Sequence, residues 1–134
     1  MPYHMEFDRQ NRILRAVLSG VIDDPGLIEC WFAAQRAADQ LDPKAAVADF
    51  SEVTAFHVAT ATLHQLASGP PVLRDLTRPR VIVAPKAELY GLSRMFQVLT
   101  DGTRPHLHVV TTLPQVSGVL GIDAIRFEPI ENAA

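Results

Sequence analysis

The chain opens on a two-residue alternation, with Tyr3, Met5 and Phe7 on one side and His4, Glu6 and Asp8 on the other. That period predicts a half-buried strand. The polar "RQN" reads as a turn and "RILRAVLSG" as a second strand, so the pair predicts an N-terminal hairpin. In "DDPGLIECWFAAQRAADQL" the period changes to that of a helix. Leu27, Trp31, Ala34, Ala38 and Leu41 share one face, while Glu29, Arg36 and Asp39 lie on the other. Asp24 is placed to cap this helix and Pro25 to occupy its first turn. "AAVADF" predicts a short strand, and the polar stretch Asp49 to His57 reads as a hinge into a helix over "VATATLHQLA", with Ala59, Leu63 and Leu66 on one side. "SGPPVLRDLTRP" is a loop by its Pro and Gly content. "RVIVA" is the most strand-like run. "PKAELYGLSRMFQVLTDG" predicts a helix with Pro85 at its start, Gly102 past its end, and a buried stripe of Leu89, Leu92, Phe96 and Leu99. A strand over "HLHVVTT", a short helix over "LPQVSGVLG" and a last extended piece in "IRFEPIENAA", which then frays, complete the chain.

This order predicts an α/β fold: a single domain over residues 1–128 with a tail at 129–134. Its sheet is mixed but mainly parallel, of about five strands, with an antiparallel N-terminal hairpin strand and helices mostly on one face. Strands covered on both faces read as continuous apolar runs, and here only "VIV" does so. The second sheet face is therefore expected to be less covered. It is either wet or a surface for dimerisation or ligand binding.

Composition narrows the class. A chain of 134 residues, 48% hydrophobic and 20% charged, can bury one core. Its 12 basic and 15 acidic side chains leave a net charge of −3 and form no basic run, which argues against a dedicated nucleic-acid partner. Cys30 is the only cysteine, pointing to a reducing compartment. No apolar run approaches the roughly 20 residues of a membrane span. "MPYHMEFD" lacks the character of a signal peptide, so a cytoplasmic location is the expectation.

"VADFSEVTAF" followed by an amphipathic helix resembles the strand-loop-helix of the STAS domains, closest to the SpoIIAA-like (anti-sigma-factor antagonist-like) group, which is related in fold to the CRAL-TRIO domains. The element order agrees along almost the whole chain. The resemblance implies a regulatory fold and, in switched members, a phosphorylatable serine. Asp49, Phe50 and Ser51 match the family's Asp-Leu-Ser step, and His57 and Val58 stand where its Asp-Ser pair would be. Valine has no hydroxyl, so the usual switch is missing at that place. Thr60, Thr62 and Ser51 are the nearby hydroxyls. Phosphate is favoured at a helix N-terminus, but a threonine there is more often a cap.

The remaining chemistry is sparse. His106 and His108 share a strand face, His57 and His64 a helix face, and His4 belongs to the far edge of a sequential sheet. This is not a zinc pattern, and no metal is expected. Cys30 beside Trp31 reads as buried and inert. With no nucleotide-binding or nucleophile-elbow motif, neither a cofactor nor a catalytic residue is assigned. On the third helix, Tyr90, Arg94, Gln97 and Asp101 form a polar stripe, and Gly91 suggests close approach of another backbone. Tyr90, Arg94 and Met95, with a part-exposed Phe32, suggest a partner-binding face. The expected function is a non-catalytic regulatory or protein-interaction module of STAS-like type, acting as a homodimer. The alternative is a small-ligand or lipid-binding domain, with the ligand between the sheet and the helix Ala87–Thr100. An enzyme without a recognisable motif is a third reading. The candidate binding residues are Asp49, Ser51, His57, Thr60, Tyr90, Arg94 and Met95.

Overall fold

The structure, a computed structural model, describes residues 2–130; Met1 and residues 131–134, where the expected fraying falls, lie outside the described residues. The elements are β1 (Tyr3–Asp8), β2 (Ile13–Asp23), α1 (Asp24–Leu41), β3 (Ala45–His57), α2 (Thr60–Ser68), β4 (Arg80–Val83), α3 (Ala87–Leu99), β5 (Leu107–Val110), α4 (Pro114–Leu120) and β6 (Glu128–Pro129). They build one six-stranded sheet in the order β5-β4-β3-β2-β1-β6. β1 is antiparallel to β2 and β6, and the β2–β3, β3–β4 and β4–β5 pairs are parallel. The fold is thus the α/β arrangement that the periodicity predicts. The last extended piece adds a sixth strand by pairing Glu128 and Pro129 with Phe7 and Glu6.

Three helices lie on one sheet face. Leu27 and Cys30 of α1, Leu63 and Leu66 of α2, and Leu89 and Phe96 of α3 share a core with Ala16, Leu18 and Val53 of the sheet. Burial of each such leucine contributes about 2 kcal/mol, so this layer is the main apolar stabilisation. The opposite face is covered differently. Val116 of α4, with Leu113, Ile122, Ile125 and Phe127, packs over Ile13, Val47, Val81 and Val83. The second face is therefore not an open apolar surface. Its β-branched centre is roofed by the chain after β5, and beside that roof the face carries His4, Glu6, Arg15 and the fully buried Asp49, which alternate with the helix-side residues.

Several local expectations are corrected. The stretch Asp49 to His57 is not a hinge but the continuation of β3, which reaches His57. β4 pairs only as far as Asp49, whereas β2 accompanies β3 to its end. Between them the register shifts twice, from Val17/Asp49 to Ser19/Glu52 and from Gly20/Val53 to Val21/Ala55. These bulges take up the irregular polar pattern that resembles a loop. Gly20, at φ 71°, supplies a left-handed backbone at the second one. The α1 cap is Asp23, whose side chain accepts from Gly26 N, while Asp24 accepts at 2.9 Å from Ala59 N. At α2 the N-cap position belongs to Ala59 and no side chain caps the helix, so Thr60 is its exposed first residue rather than a cap. α3 ends at Leu99 with Thr100 as its cap, before Gly102 is reached.

Gly91 is not a point of close approach. A Cβ built there meets nothing within 4 Å, and the residue is exposed in mid-helix. Gly91→Ala should therefore stabilise the protein by about 0.5–1 kcal/mol in a urea titration, through helix propensity alone. A destabilised variant would mean that a neighbour does occupy this face.

Candidate functional site

A cavity of about 150 Å³ lies between the helix-covered face of the sheet and helices α1, α2 and α3. Its walls are almost wholly apolar: Ala16, Leu18 and Ile82 from the sheet, Trp31 from α1, Leu63 and Leu66 from α2, and Leu89 and Phe96 from α3. Small side chains facing large ones create the space. Ala16, Ala46 and Ala48 on β2 and β3 leave room below the long residues of α1 and α3.

The polar wall is unusual. Arg80 and Arg104 both line the cavity, with Ser93 of α3, and among the described residues no carboxylate does. Arg80 is 8% exposed and is held by backbone carbonyls: Nη2 donates to Leu73 O and Asp75 O, Nη1 to Leu76 O and Arg78 O. Arg104 is 4% exposed. Its Nη2 donates to Leu66 O at 3.2 Å and Gly69 O at 2.8 Å, but among the described residues its Nη1 has no hydrogen-bond partner. The guanidinium carbon stands 5.4 Å from the Trp31 ring centre and 5.9 Å from that of Phe96. Those rings pack edge to face, so their faces supply part of the stabilisation that water would give a cation. Burial, and then the charge of Arg80, pulls the Arg104 guanidinium below its ordinary value; burial does the same to Arg80, partly offset by Asp75.

The loop after α3 explains how a charged residue is carried inside. Thr100 is fully buried, and its Oγ1 donates to Phe96 O at 3.0 Å. Its carbonyl then accepts from Thr103 N and Arg104 N. This tight turn folds Arg104 back beneath the end of the helix, toward the carbonyls that close α2.

Cys30 also lines the cavity. Burial, reinforced by Glu29, pushes its thiol up to about 12, so the thiolate that would react is scarce near neutrality.

The predicted residues fall elsewhere and do not form one site. Asp49 is 1% exposed on the opposite sheet face. Its Oδ2 accepts from Arg15 Nη2 at 2.5 Å and Nε at 3.1 Å; its Oδ1 accepts from Ser51 Oγ at 2.6 Å and Ser51 N at 2.9 Å. Arg15 also donates to Glu6 and lies over the Phe127 ring. Burial opposes its charge, but the bonds to Asp49 and Glu6 outweigh this and raise its value. The Asp49–Ser51 pair is thus part of an ion-pair cluster that ties β1, β2 and β3 together. His57 is exposed at the end of β3, and Val58 packs against the core. Tyr90 and Met95 are half-buried against the core, and Arg94 is exposed. On α3 it is the other side of the helix, Leu89, Leu92, Ser93 and Phe96, that meets the cavity. All five histidines are exposed, and no group of three or more His, Cys, Asp or Glu among the described residues could hold a metal.

Arg80, Ser93 and Arg104 carry no sequence signal beyond being single polar residues beside apolar runs. Asp8 is hidden in the same way. It sits on the polar side of an alternating strand, yet is 2% exposed and accepts from Asn11 and from Arg126 N. Burial alone would raise its carboxyl, and these bonds outweigh that and lower it.

No protein-family model matches the chain, and no curated protein matches it significantly.

In the folded protein Cys30 should react with a disulfide reagent orders of magnitude more slowly at about pH 8 than after denaturation; fast reaction of the native protein would refute its burial. Asp49→Ala should cost about 2–4 kcal/mol in chemical denaturation, because it leaves Arg15 underpaired beside Phe127. A loss under about 1 kcal/mol would show that Glu6 and solvent suffice for Arg15.

Proposed function

We propose that the protein is a non-catalytic binding module whose site is the apolar cavity between the sheet and α1–α3. One observation carries this reading: a cavity of about 150 Å³ bounded by apolar side chains and two buried arginines. An apolar recess of this size leaves its lining side chains short of packing partners, and an apolar cavity of similar volume is known to admit a benzene-sized molecule. The resemblance to CRAL-TRIO domains supports this reading, because it implies a ligand between the sheet and the helix that begins at Ala87. Relation to the STAS domains is part of the same proposal, and rests on element order and on Asp49–Ser51. In this reading occupancy of the cavity replaces the phosphorylated serine as the regulated event, since Val58 offers no hydroxyl. A cytoplasmic location accords with the single buried thiol, and no helix among the described residues is long and apolar enough to cross a membrane.

The partner-docking reading has its own support. Phe32 on α1 is 50% exposed and Val98 on α3 is 73% exposed. Large apolar side chains at such exposure suit contact with a second copy or another protein. The cavity is the stronger feature because it joins shape to unpaired polarity, whereas single exposed apolar residues are common.

Trp31, the sole tryptophan, lines the cavity and makes the test direct. Titration with ethylbenzene should change its fluorescence saturably and raise the melting temperature. A flat titration together with an unchanged melting temperature would overturn the proposal.

A further inference from the structure

The chemistry of the polar wall narrows what the cavity would hold. An arginine buried in an apolar setting without an acidic partner is costly, because a desolvated cation loses several kcal/mol of hydration unless hydrogen bonds and opposite charge replace it. Arg80 meets this cost with four backbone carbonyls. Arg104 meets it only in part. Two carbonyls take Nη2, two ring faces flank the guanidinium, and Nη1 is left idle. Like charge from Arg80 adds to the strain on this group. A neutral ligand would bring no compensating charge, and a cation would add a third like charge. An anion would remove the deficit, and the apolar remainder of the walls requires that its body be hydrocarbon.

We infer that the ligand is a small hydrophobic monocarboxylate, with its apolar body against Trp31, Phe96 and the leucines of α2 and its carboxylate accepting from Arg104 Nη1. This rests on the cavity being the binding site. A charge-assisted hydrogen bond in a water-poor site is about twice as strong as a neutral one, so the acid should be strongly preferred to its amide. The cavity volume suits either a phenyl-bearing acid or a short fatty acid.

The test compares wild-type affinities by Trp31 fluorescence and calorimetry for ethylbenzene, phenylacetate, phenylacetamide, 2-phenylethylamine, octanoate and octanamide. At least one acid should bind about tenfold or more tightly than its amide, and the amine should bind most weakly. Preference for phenylacetate over octanoate would identify an aromatic acid as the source, and the reverse a fatty acid. Arg104→Gln removes the charge and, being shorter, gives up the reach of Nη2 to the Leu66 and Gly69 carbonyls while keeping a polar N–H at the cavity wall. In the folded variant the preference for acid over amide should be abolished, the ratio of the two affinities falling to within about threefold of unity. Amides that bind as well as both acids would overturn the inference while ethylbenzene binding left the cavity site standing. Retention of the preference in folded Arg104→Gln would equally overturn it. If that variant does not fold, the wild-type comparison of acid with amide decides alone. Failure of every probe, ethylbenzene included, would remove the binding site itself.

Discussion

The handedness of parallel strand connections organises this molecule. β2, β3, β4 and β5 are laid side by side in chain order. Each step to the next parallel strand needs a crossover, and crossovers between parallel neighbours are almost always right-handed. Successive steps in one direction with one hand must put every crossing helix on the same face. α1, α2 and α3 therefore share one side of the sheet, and their apolar faces have only that sheet and each other to pack against. The other side is left to whatever follows β5, and there α4 and the stretch to Phe127 roof the valines of β3 and β4.

The cavity is left where small side chains of the sheet face the long residues of α1 and α3. Packing is completed around its edges by leucines and aromatic rings. At its centre, however, β2 and β3 offer alanines rather than larger residues. The head of β4 and the loop after α3 then bring in Arg80 and Arg104. An interior built only for stability would place apolar side chains at those two positions, since buried cations seldom outperform them. Arg80 is explained by the carbonyls of the preceding loop, which it gathers into a turn at the head of β4. Arg104 is only half explained by the carbonyls at the end of α2.

The opposite face shows the contrasting use of charge. Arg15, Glu6 and Asp49 are neighbours across three strands, and Ser51 completes the coordination of Asp49. Every strong group there is matched, so the cluster holds strands in register and has little capacity left for a ligand. Asp49 and Ser51, in the stretch that most resembles a regulatory site, belong to this matched cluster, and the unbalanced polarity lies on the far side of the sheet.

Much of this was legible in the sequence. Alternation found β1, and the 3.6-residue period found α1 and α3, because those patterns follow directly from which side faces a core. Leu99 of the predicted α3 stripe is nonetheless 39% exposed, at the last turn where the helix ends, and Ser93 is buried in the stripe instead. Boundaries failed where a pairing partner decided them: β3 runs on to His57 because β2 accompanies it, and two bulges hide the alternation. The candidate site was the least legible part. Tyr90 and Arg94 stand out on α3 as polar residues, yet its cavity side is the apolar stripe that marks any buried helix. Arg104 looks like an ordinary loop charge. Hydrophobic period and chain order by themselves determined the class of fold and the common side of the helices, because both are set by local geometry and chirality. Only the tertiary structure decided which polar groups are enclosed and which of them remain unmatched, because burial and pairing depend on residues distant in the chain arriving at the same place.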